Sequence, residues 1–137
     1  MIKYLLDTNT IVDIIRDKEC KPSKRLMEVG LYRCAIADMT IFELLYGAFN
    51  SEQCEANLQM INNLSEAVRT LPSSAAYREA ARQKCRLRKL GLLIEDIDLL
   101  IGCTAIANGL TLISYNTKHM SRLENIRIES WSSDTAE

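Results

Sequence analysis

Short apolar runs rich in β-branched and aromatic residues alternate along this chain with longer stretches in which apolar residues recur at helical spacing. The short runs predict strands at 2–6, 32–37, 67–71, 110–114 and 126–131. The longer stretches predict helices from 8 or 9 to 16, from 23 to 30, from 38 or 40 to 49, and at 52–64, 73–90, 96–108 and 116–123. This alternation is typical of an α/β domain built on a mostly parallel sheet.

Length and composition set the size of that domain. The chain has 137 residues, of which 47% are hydrophobic and 26% are charged, and this is enough to bury one core. We therefore expect a single domain over 1–131, followed by a polar C-terminal tail at 132–137.

Charge and cysteine content indicate how the protein could bind nucleic acid and in which redox compartment it works. The formal net charge of -1 provides no overall field for nucleic acid, so an RNA-binding surface would need a local basic patch. The five cysteines are odd in number and contain no CxxC pair, which favours reduced thiols in a cytoplasmic protein. The apolar stretch at 99–107 falls short of the ~20 residues that span a bilayer, so no membrane segment is expected.

Three acids stand among large apolar side chains, each near a predicted strand-to-helix transition or in the first turn of a helix. They are Asp7, Glu43 and Asp98. A carboxylate that leaves water must be paired, hydrogen-bonded, protonated or bound to a cation. Loops at the carboxyl edge of a parallel sheet converge, so the three acids can meet in one crevice. One divalent cation would then explain all three, because Mg²⁺ and Mn²⁺ prefer carboxylate oxygens.

Helix capping is the alternative explanation for most of these acids. Asp7 can cap the first helix, and Thr40 and Glu43 fit a capping box. Asp96 can cap the helix that contains Asp98. Asp98 itself is hardest to explain structurally, because its neighbours at helical spacing are apolar or small.

Four blocks along the chain carry a family resemblance. They read LLDTN from Leu5, TIFELLYG from Thr40, DIDLLIG from Asp96 and GLTLISYN from Gly109, with Trp131 near the end. In this order and spacing, the chain resembles a PIN-domain ribonuclease of the VapC toxin type over nearly its whole length. The resemblance implies a three-layer α/β/α fold with a metal site formed by Asp7, Glu43 and Asp98, which would bind Mg²⁺ or Mn²⁺.

The resemblance also bears on the positions around these acids. Asn116 falls where many members carry a fourth acid, in a run that reads Ser-Tyr-Asn instead of Thr-Asn-Asp or Thr-Asn-Asn. An Asn carbonyl can hold a water on the metal but adds no charge, so a second Mg²⁺ would bind more weakly. Alternatively, Asn116 caps the short helix that follows it. Supporting positions at the site are Asn9, Thr40, Asp96 and Ser114.

The chemistry that the resemblance implies is hydrolysis of an RNA phosphodiester by metal-activated water, which leaves a 5′-phosphate and a 3′-hydroxyl. The implied partners are a small VapB-like antitoxin and a second copy of the chain in a homodimer. His119, the only histidine, is either a surface residue or a general acid close to Asn116.

A basic cluster lies in the predicted helix at 73–90. Arg82, Arg86 and Lys89 share one face of this helix, where they either contact RNA phosphates or simply face solvent. The rival class of function is a non-catalytic α/β module with a metal-dependent or receiver-like acidic switch, for which Lys118 is a weak candidate lysine. A Rossmann nucleotide binder is disfavoured, because no GxGxxG follows the first strand.

Overall fold

The computed structural model describes residues 1–132, so the predicted tail beyond Ser132 lies outside the described residues. Within this range the strands are β1 (Tyr4–Leu6), β2 (Cys34–Ala37), β3 (Arg69–Leu71), β4 (Thr111–Ile113) and β5 (Ile128–Glu129). The helices are α1 (Thr8–Arg16), α2 (Lys21–Val29), α3 (Asp38–Phe49), α4 (Cys54–Ala67), α5 (Tyr77–Leu90), α6 (Asp96–Ala107) and α7 (Thr117–Met120). Short 3₁₀ helices cover Leu31–Arg33 and Ser73–Ala76.

The described strands form one sheet in the order β3-β2-β1-β4-β5, and every neighbouring pair is parallel. β1 lies in the middle, where Tyr4 pairs with Cys34 of β2 on one side and with Thr111 of β4 on the other. The strand order changes direction beside β1, and open parallel sheets bind ligands at the carboxyl ends of the strands next to such a point. The predicted α/β class is confirmed.

Helices cover both faces of this sheet, because side chains alternate along each strand between two apolar cores. Leu5 faces a core that it shares with Leu87 of α5 and Ile101 of α6. Leu6 faces the opposite core, which includes Ile11 of α1 and receives residues of α2, α3 and α4. The three-layer α/β/α arrangement is therefore confirmed.

Three helices start two or more residues away from the predicted position, and one of them is α4, which begins at Cys54 instead of residue 52. α2 begins two residues early, with Cys20 as its N-cap and Pro22 in the first turn, where the missing N–H of proline is tolerated. Ser23, at which the helix was predicted to begin, is buried, and its hydroxyl donates to the carbonyl of Asp17 at 2.7 Å. α5 begins at Tyr77, because residues 73–76 form a 3₁₀ helix.

The C-terminal part of the described chain closes the sheet at one edge. β5 pairs with β4 through Leu112 and Ile128, as predicted for an edge strand. Trp131 then packs edge-on against Tyr4, with ring centroids 5.5 Å apart, and its Nε1 donates to Glu129 at 3.1 Å. α7 ends at Met120, three residues before the predicted end of that helix.

The five cysteines all lie within the described residues, and each has a free thiol. Among the helices in residues 1–132, none is long and apolar enough to cross a membrane.

Candidate active site

The carboxyl edge of the sheet brings together side chains from distant segments of the chain. Asp7 directly follows β1, and Ser114 directly follows the neighbouring β4. The backbone N–H of Asp7 donates to the carbonyl of Ile113 at 2.9 Å, which extends the β1–β4 pairing to Asp7. Glu43 lies in α3, which starts immediately after β2, and Asp98 lies in the first turn of α6.

Asp7 both caps a helix and belongs to the polar cluster. It is buried, with 3% of its surface exposed, and its Oδ1 accepts the backbone N–H of Thr8 at 2.8 Å as the N-cap of α1. Its Oδ2 accepts the hydroxyl of Ser114 at 2.7 Å. Burial raises the pKa of Asp7 above its usual value, and the bonds from Ser114 and Thr8 oppose that rise.

Glu43 is held by a residue that sequence reasoning missed. The hydroxyl of Thr8 donates to Oε1 of Glu43 at 2.5 Å, which joins the first turn of α1 to α3. The predicted capping box is wrong, because α3 begins at Asp38 with Ala37 as its N-cap, so Thr40 lies inside the helix. Thr40 is fully buried, and its hydroxyl has no hydrogen-bond partner among the described residues. The position of Thr8, immediately after Asp7 at the carboxyl edge of β1, was the available signal.

The negative charges of other acids contribute to the pKa of Asp98. Burial, followed by the negative charges nearby, raises the pKa of Asp98 to about 6 from its usual value of 3.8. These charges belong to Asp7, Glu43 and Glu95. Asp7 and Glu43 therefore lie close enough for their negative charges to act on Asp98. Glu95, which was not singled out in the sequence, contributes as well because it immediately precedes α6.

Asn9 and Ser114 fix the loop that follows β4. The side-chain nitrogen of Asn9 donates to Oγ of Ser114 at 3.4 Å, and Oδ1 of Asn9 accepts the backbone N–H of Tyr115 at 3.3 Å. Oγ of Ser114 also accepts the backbone N–H of Asn116 at 3.0 Å. The Tyr115 hydroxyl donates to the carboxylate of Asp13 in α1. Asn9 and Ser114, two of the four predicted supporting residues, therefore lie at the candidate site.

The amide of Asn116 presents its nitrogen, not its oxygen, to the acids. Nδ2 of Asn116 lies 3.5 Å from Oδ2 of Asp98, while its Oδ1 lies 2.8 Å from Nδ1 of His119. A carboxylate accepts hydrogen bonds and the His119 ring can donate one, so this orientation satisfies both partners. The side-chain carbonyl of Asn116, which was considered as a group that could hold a water on the metal, therefore faces His119. Asn116 is also the N-cap of α7, although its side chain makes no capping bond.

Asp96 has a different partner from the one predicted. Glu95, not Asp96, is the N-cap of α6. Oδ1 of Asp96 lies 2.8 Å from Nζ of Lys84 in α5, so this exposed carboxylate forms an ion pair across the α5–α6 contact. Asp96 still lines the acidic cleft described below, but its negative charge is partly offset by Lys84.

The donor set at this edge suits a hard divalent cation. A cleft of about 250 Å³ opens here, lined by Glu43, Glu95, Asp96, Ile97 and Asp98. Across residues 1–132, no three His, Cys, Asp or Glu side chains are placed so that together they could hold one metal ion. The chemistry nevertheless fits, because burial and the neighbouring negative charges both raise the pKa of Asp98, and a bound cation would offset those charges.

Two arginines on the basic face of α5 form contacts within the protein. Nη2 of Arg82 lies 2.9 Å from a carboxylate oxygen of Glu124, and Nη2 of Arg86 donates to the carbonyl of Arg122 at 2.6 Å. These contacts anchor the segment after α7 to α5. Lys89 is exposed. The predicted role of this face in RNA binding stays a prediction.

Known proteins share both the sequence and the geometry. The PIN domain family matches residues 4–126. Ribonuclease VapC2 of Haemophilus influenzae is 32% identical over 134 residues, which cover 96% of this chain and 99% of that protein. The tRNA(fMet)-specific endonuclease VapC of Shigella flexneri is 29% identical and is covered in full. A DNA-bound VapBC structure from Salmonella typhimurium superposes with a TM-score of 0.88 at 29% identity, covering 96% of this chain and 99% of the other.

A parallel α/β/α domain with acids at the carboxyl edge of its sheet is the architecture of a PIN domain. The match over residues 4–126 and the 32% identity over nearly the full length show that the chain belongs to the PIN-domain family, among the VapC ribonucleases.

Proposed function

We propose that this protein is a divalent-metal-dependent endoribonuclease and the toxin of a toxin–antitoxin pair. The observation that carries the catalytic part is the raised pKa of Asp98, to which Asp7 and Glu43 contribute from separate segments. Acids that crowd together at a parallel-sheet edge are typical of functional sites. The names of the ribonuclease and endonuclease relatives support RNA as the substrate.

In this proposal Asp7, Glu43 and Asp98 hold Mg²⁺ or Mn²⁺. When bound, such a cation supplies positive charge to the scissile phosphate and lowers the pKa of a water molecule. Ser114 and Thr8 orient two of the carboxylates through the bonds described above. Protons compete with the cation at Asp98, because this carboxylate has a pKa of about 6.

The direct test is cleavage of a single-stranded RNA by the purified protein with Mg²⁺, with Mn²⁺ and with EDTA. We expect cleavage only with metal, with products that carry a 5′-phosphate, and a loss of at least ~100-fold in Asp98→Asn. The conservative variant keeps the size of the side chain and removes its charge. Metal binding without cleavage would instead favour the acidic switch module.

We also propose a small VapB-like antitoxin as the partner. The cleft lined by Glu43, Glu95 and Asp98 supports this, because a basic side chain seated there would neutralise clustered negative charge. An apolar groove between α1, α2 and α4 adds contact area, and the side chain of Met27 at its rim is 83% exposed. The solved VapBC assembly from Salmonella typhimurium supports the same kind of partner.

The toxin role can be tested by expression in bacteria. The free thiols support action in the cytoplasm, where cysteines stay reduced. We expect the wild type to arrest growth, and Asp7→Ala and Asp98→Asn to permit growth at equal protein levels. Two variants are needed, because Asp7 also caps α1 and its loss costs ~1 kcal/mol of stability. Equal arrest by all three proteins would point to aggregation.

A homodimer is proposed as the oligomeric state. Phe42, Tyr46 and Phe49 share one face of α3 and are 57%, 67% and 69% exposed. Large aromatic side chains that stay exposed along one helix support a protein–protein contact. Sedimentation equilibrium should give a dimer for the wild type and a monomer for Tyr46→Lys.

A further inference from the structure

A second pocket adjoins the acids, and the proposed hydrolysis does not use it. It has a volume of about 380 Å³ and lies between α1, α3, the segment that leads into α4, and α4 itself. Glu43 lines both this pocket and the acidic cleft. A ligand that lies across Glu43 would therefore place one part at the acids and the next part in the pocket.

The lining of the pocket matches a flat ring with apolar faces and a polar edge. Ile15, Leu44 and Ile61 supply apolar surface. Asn57 supplies an amide, whose nitrogen donates to Oγ of Ser51 at 2.9 Å and whose oxygen is of the type that accepts a hydrogen bond.

Among the described residues that line the pocket, Arg16 is the cation, and Glu43 and Glu52 are the acids. Arg16 is exposed at the end of α1 and complements the phosphate charge of a nucleotide that enters from the acids. Unpaired bases of RNA bind proteins through contacts to their flat faces, usually from aromatic side chains or Arg, and through hydrogen bonds at their edges. In this pocket the aliphatic side chains of Ile15, Leu44 and Ile61 would contact the faces of the base. We propose that this pocket binds one unpaired nucleobase of the RNA substrate, next to the nucleotide whose phosphate lies at the acids. The inference rests on the proposed ribonuclease function.

A substitution at Gly47 can test whether the pocket binds a base. It lies on α3 one turn after Glu43, and a Cβ built at this position would meet no atom within 4 Å. A larger side chain at this position therefore extends into the pocket without a clash in the fold. Leucine is also a better helix former than glycine, so Gly47→Leu should fold.

The experiment measures binding in EDTA, so that cleavage plays no part. The probes are a fluorescently labelled single-stranded RNA of mixed sequence and a strand of the same length and backbone in which every base is replaced by an abasic site. We expect the wild type to bind the base-bearing strand roughly tenfold more tightly, because the apolar faces of a base that enters the pocket leave water. Fluorescence anisotropy gives both affinities.

Gly47→Leu should lose this preference and bind both strands as weakly as the wild type binds the abasic one. Ala107→Leu is the matched control, because it adds a similar side chain at an exposed position of α6 outside the pocket. It should keep the full preference. Melting temperatures of both variants report on folding.

Arg16→Gln gives an independent measurement. It should weaken both strands equally and reduce the slope of log affinity against log salt by ~0.7, because its contact is with phosphate. The inference is overturned if the wild type binds the base-bearing strand no better than the abasic one, or if Gly47→Leu keeps the preference. It is also overturned if Gly47→Leu binds RNA normally but loses an antitoxin peptide, which would make the pocket a peptide site. A protein that shows the binding pattern but cleaves no RNA with metal would refute the proposed function alone.

Discussion

Oγ of Ser114 lies 2.7 Å from Oδ2 of Asp7, although the two residues are 107 positions apart in the chain. The bond forms because β1 and β4 are neighbours in the sheet and each residue directly follows its strand. Ser114 is fully buried and also accepts the backbone N–H of Asn116 at 3.0 Å. One hydroxyl thus connects the carboxylate of Asp7 to the loop that carries Asn116.

Ser114→Ala should impair activity by changing the protonation of Asp7. The bond from Ser114 lowers the pKa of Asp7, so its loss raises that pKa further and moves the acidic limb of kcat/KM to higher pH. We also expect a loss of about 1–2 kcal/mol in the free energy of unfolding, because a buried acceptor loses its donor. Ser121→Ala is the control, since that exposed hydroxyl donates only to the carbonyl of Lys118 at 3.0 Å. An unshifted pH profile would show that Ser114 does not control the protonation of Asp7.

Asp98 should make the metal-free protein less stable as the pH rises. Its pKa is about 6 in the folded protein and near 3.8 in the unfolded chain. Between about pH 4 and 6 the folded state holds a proton that the unfolded chain has released, so the contribution of Asp98 to stability falls across this window. In EDTA, Asp98→Asn should lack this fall and melt at or above the wild-type temperature near pH 7. A loss of ~1 kcal/mol at that pH, typical of a removed cap, would contradict the clustered-acid interpretation.

The same variant should respond less to metal. Saturating Mg²⁺ or Mn²⁺ stabilises a folded protein that binds it in preference to the unfolded chain. We expect the rise in melting temperature between EDTA and excess metal to shrink in Asp98→Asn compared with the wild type. A full metal response in the variant would place the cation away from Asp98.

Asn116→Asp should have opposite effects on metal binding and on metal-free stability. The new carboxylate would replace the amide nitrogen that lies 3.5 Å from Oδ2 of Asp98, so it adds repulsion in EDTA and a charged oxygen ligand for a cation. Calorimetry should show tighter Mn²⁺ binding, and thermal unfolding in EDTA should show a lower melting temperature. Asn62→Asp, which adds the same charge at an exposed position of α4, should change neither. Unchanged Mn²⁺ affinity in Asn116→Asp would place residue 116 outside the metal shell.

On the basic face of α5, Lys89 should contribute more to RNA binding than Arg82. Arg82 is engaged with Glu79 at 2.8 Å and with Glu124 at 2.9 Å, whereas Lys89 is exposed. Lys89→Gln should weaken binding of single-stranded RNA in EDTA and reduce the salt slope by ~0.7. Arg82→Gln should change RNA affinity less. The reverse ranking would show that Arg82 leaves its protein partners to bind phosphate.

The sequence by itself determined the order of the elements and the edge at which the site lies. Alternating apolar runs specified the parallel sheet, because only buried strands connected by helices accommodate that pattern. Asp7 and Ser114 could be assigned to the carboxyl edge, since each ends a short apolar run that can only be a strand. The residue types within each segment were sufficient to predict the order of the elements and the edge of the sheet at which the site lies.

Only the tertiary structure decided which partner each polar side chain has. The sequence also allowed Glu43 to reach back to Thr40 in its own helix, but Glu43 accepts a hydrogen bond from Thr8, 35 positions away. Asp96 was predicted to cap α6, but it pairs with Lys84 of α5. A hydrogen bond requires its donor and acceptor within about 3 Å, and the packing of separate elements sets that distance. Sequence spacing fixes which residues face the same edge, whereas the fold alone brings two particular atoms into contact.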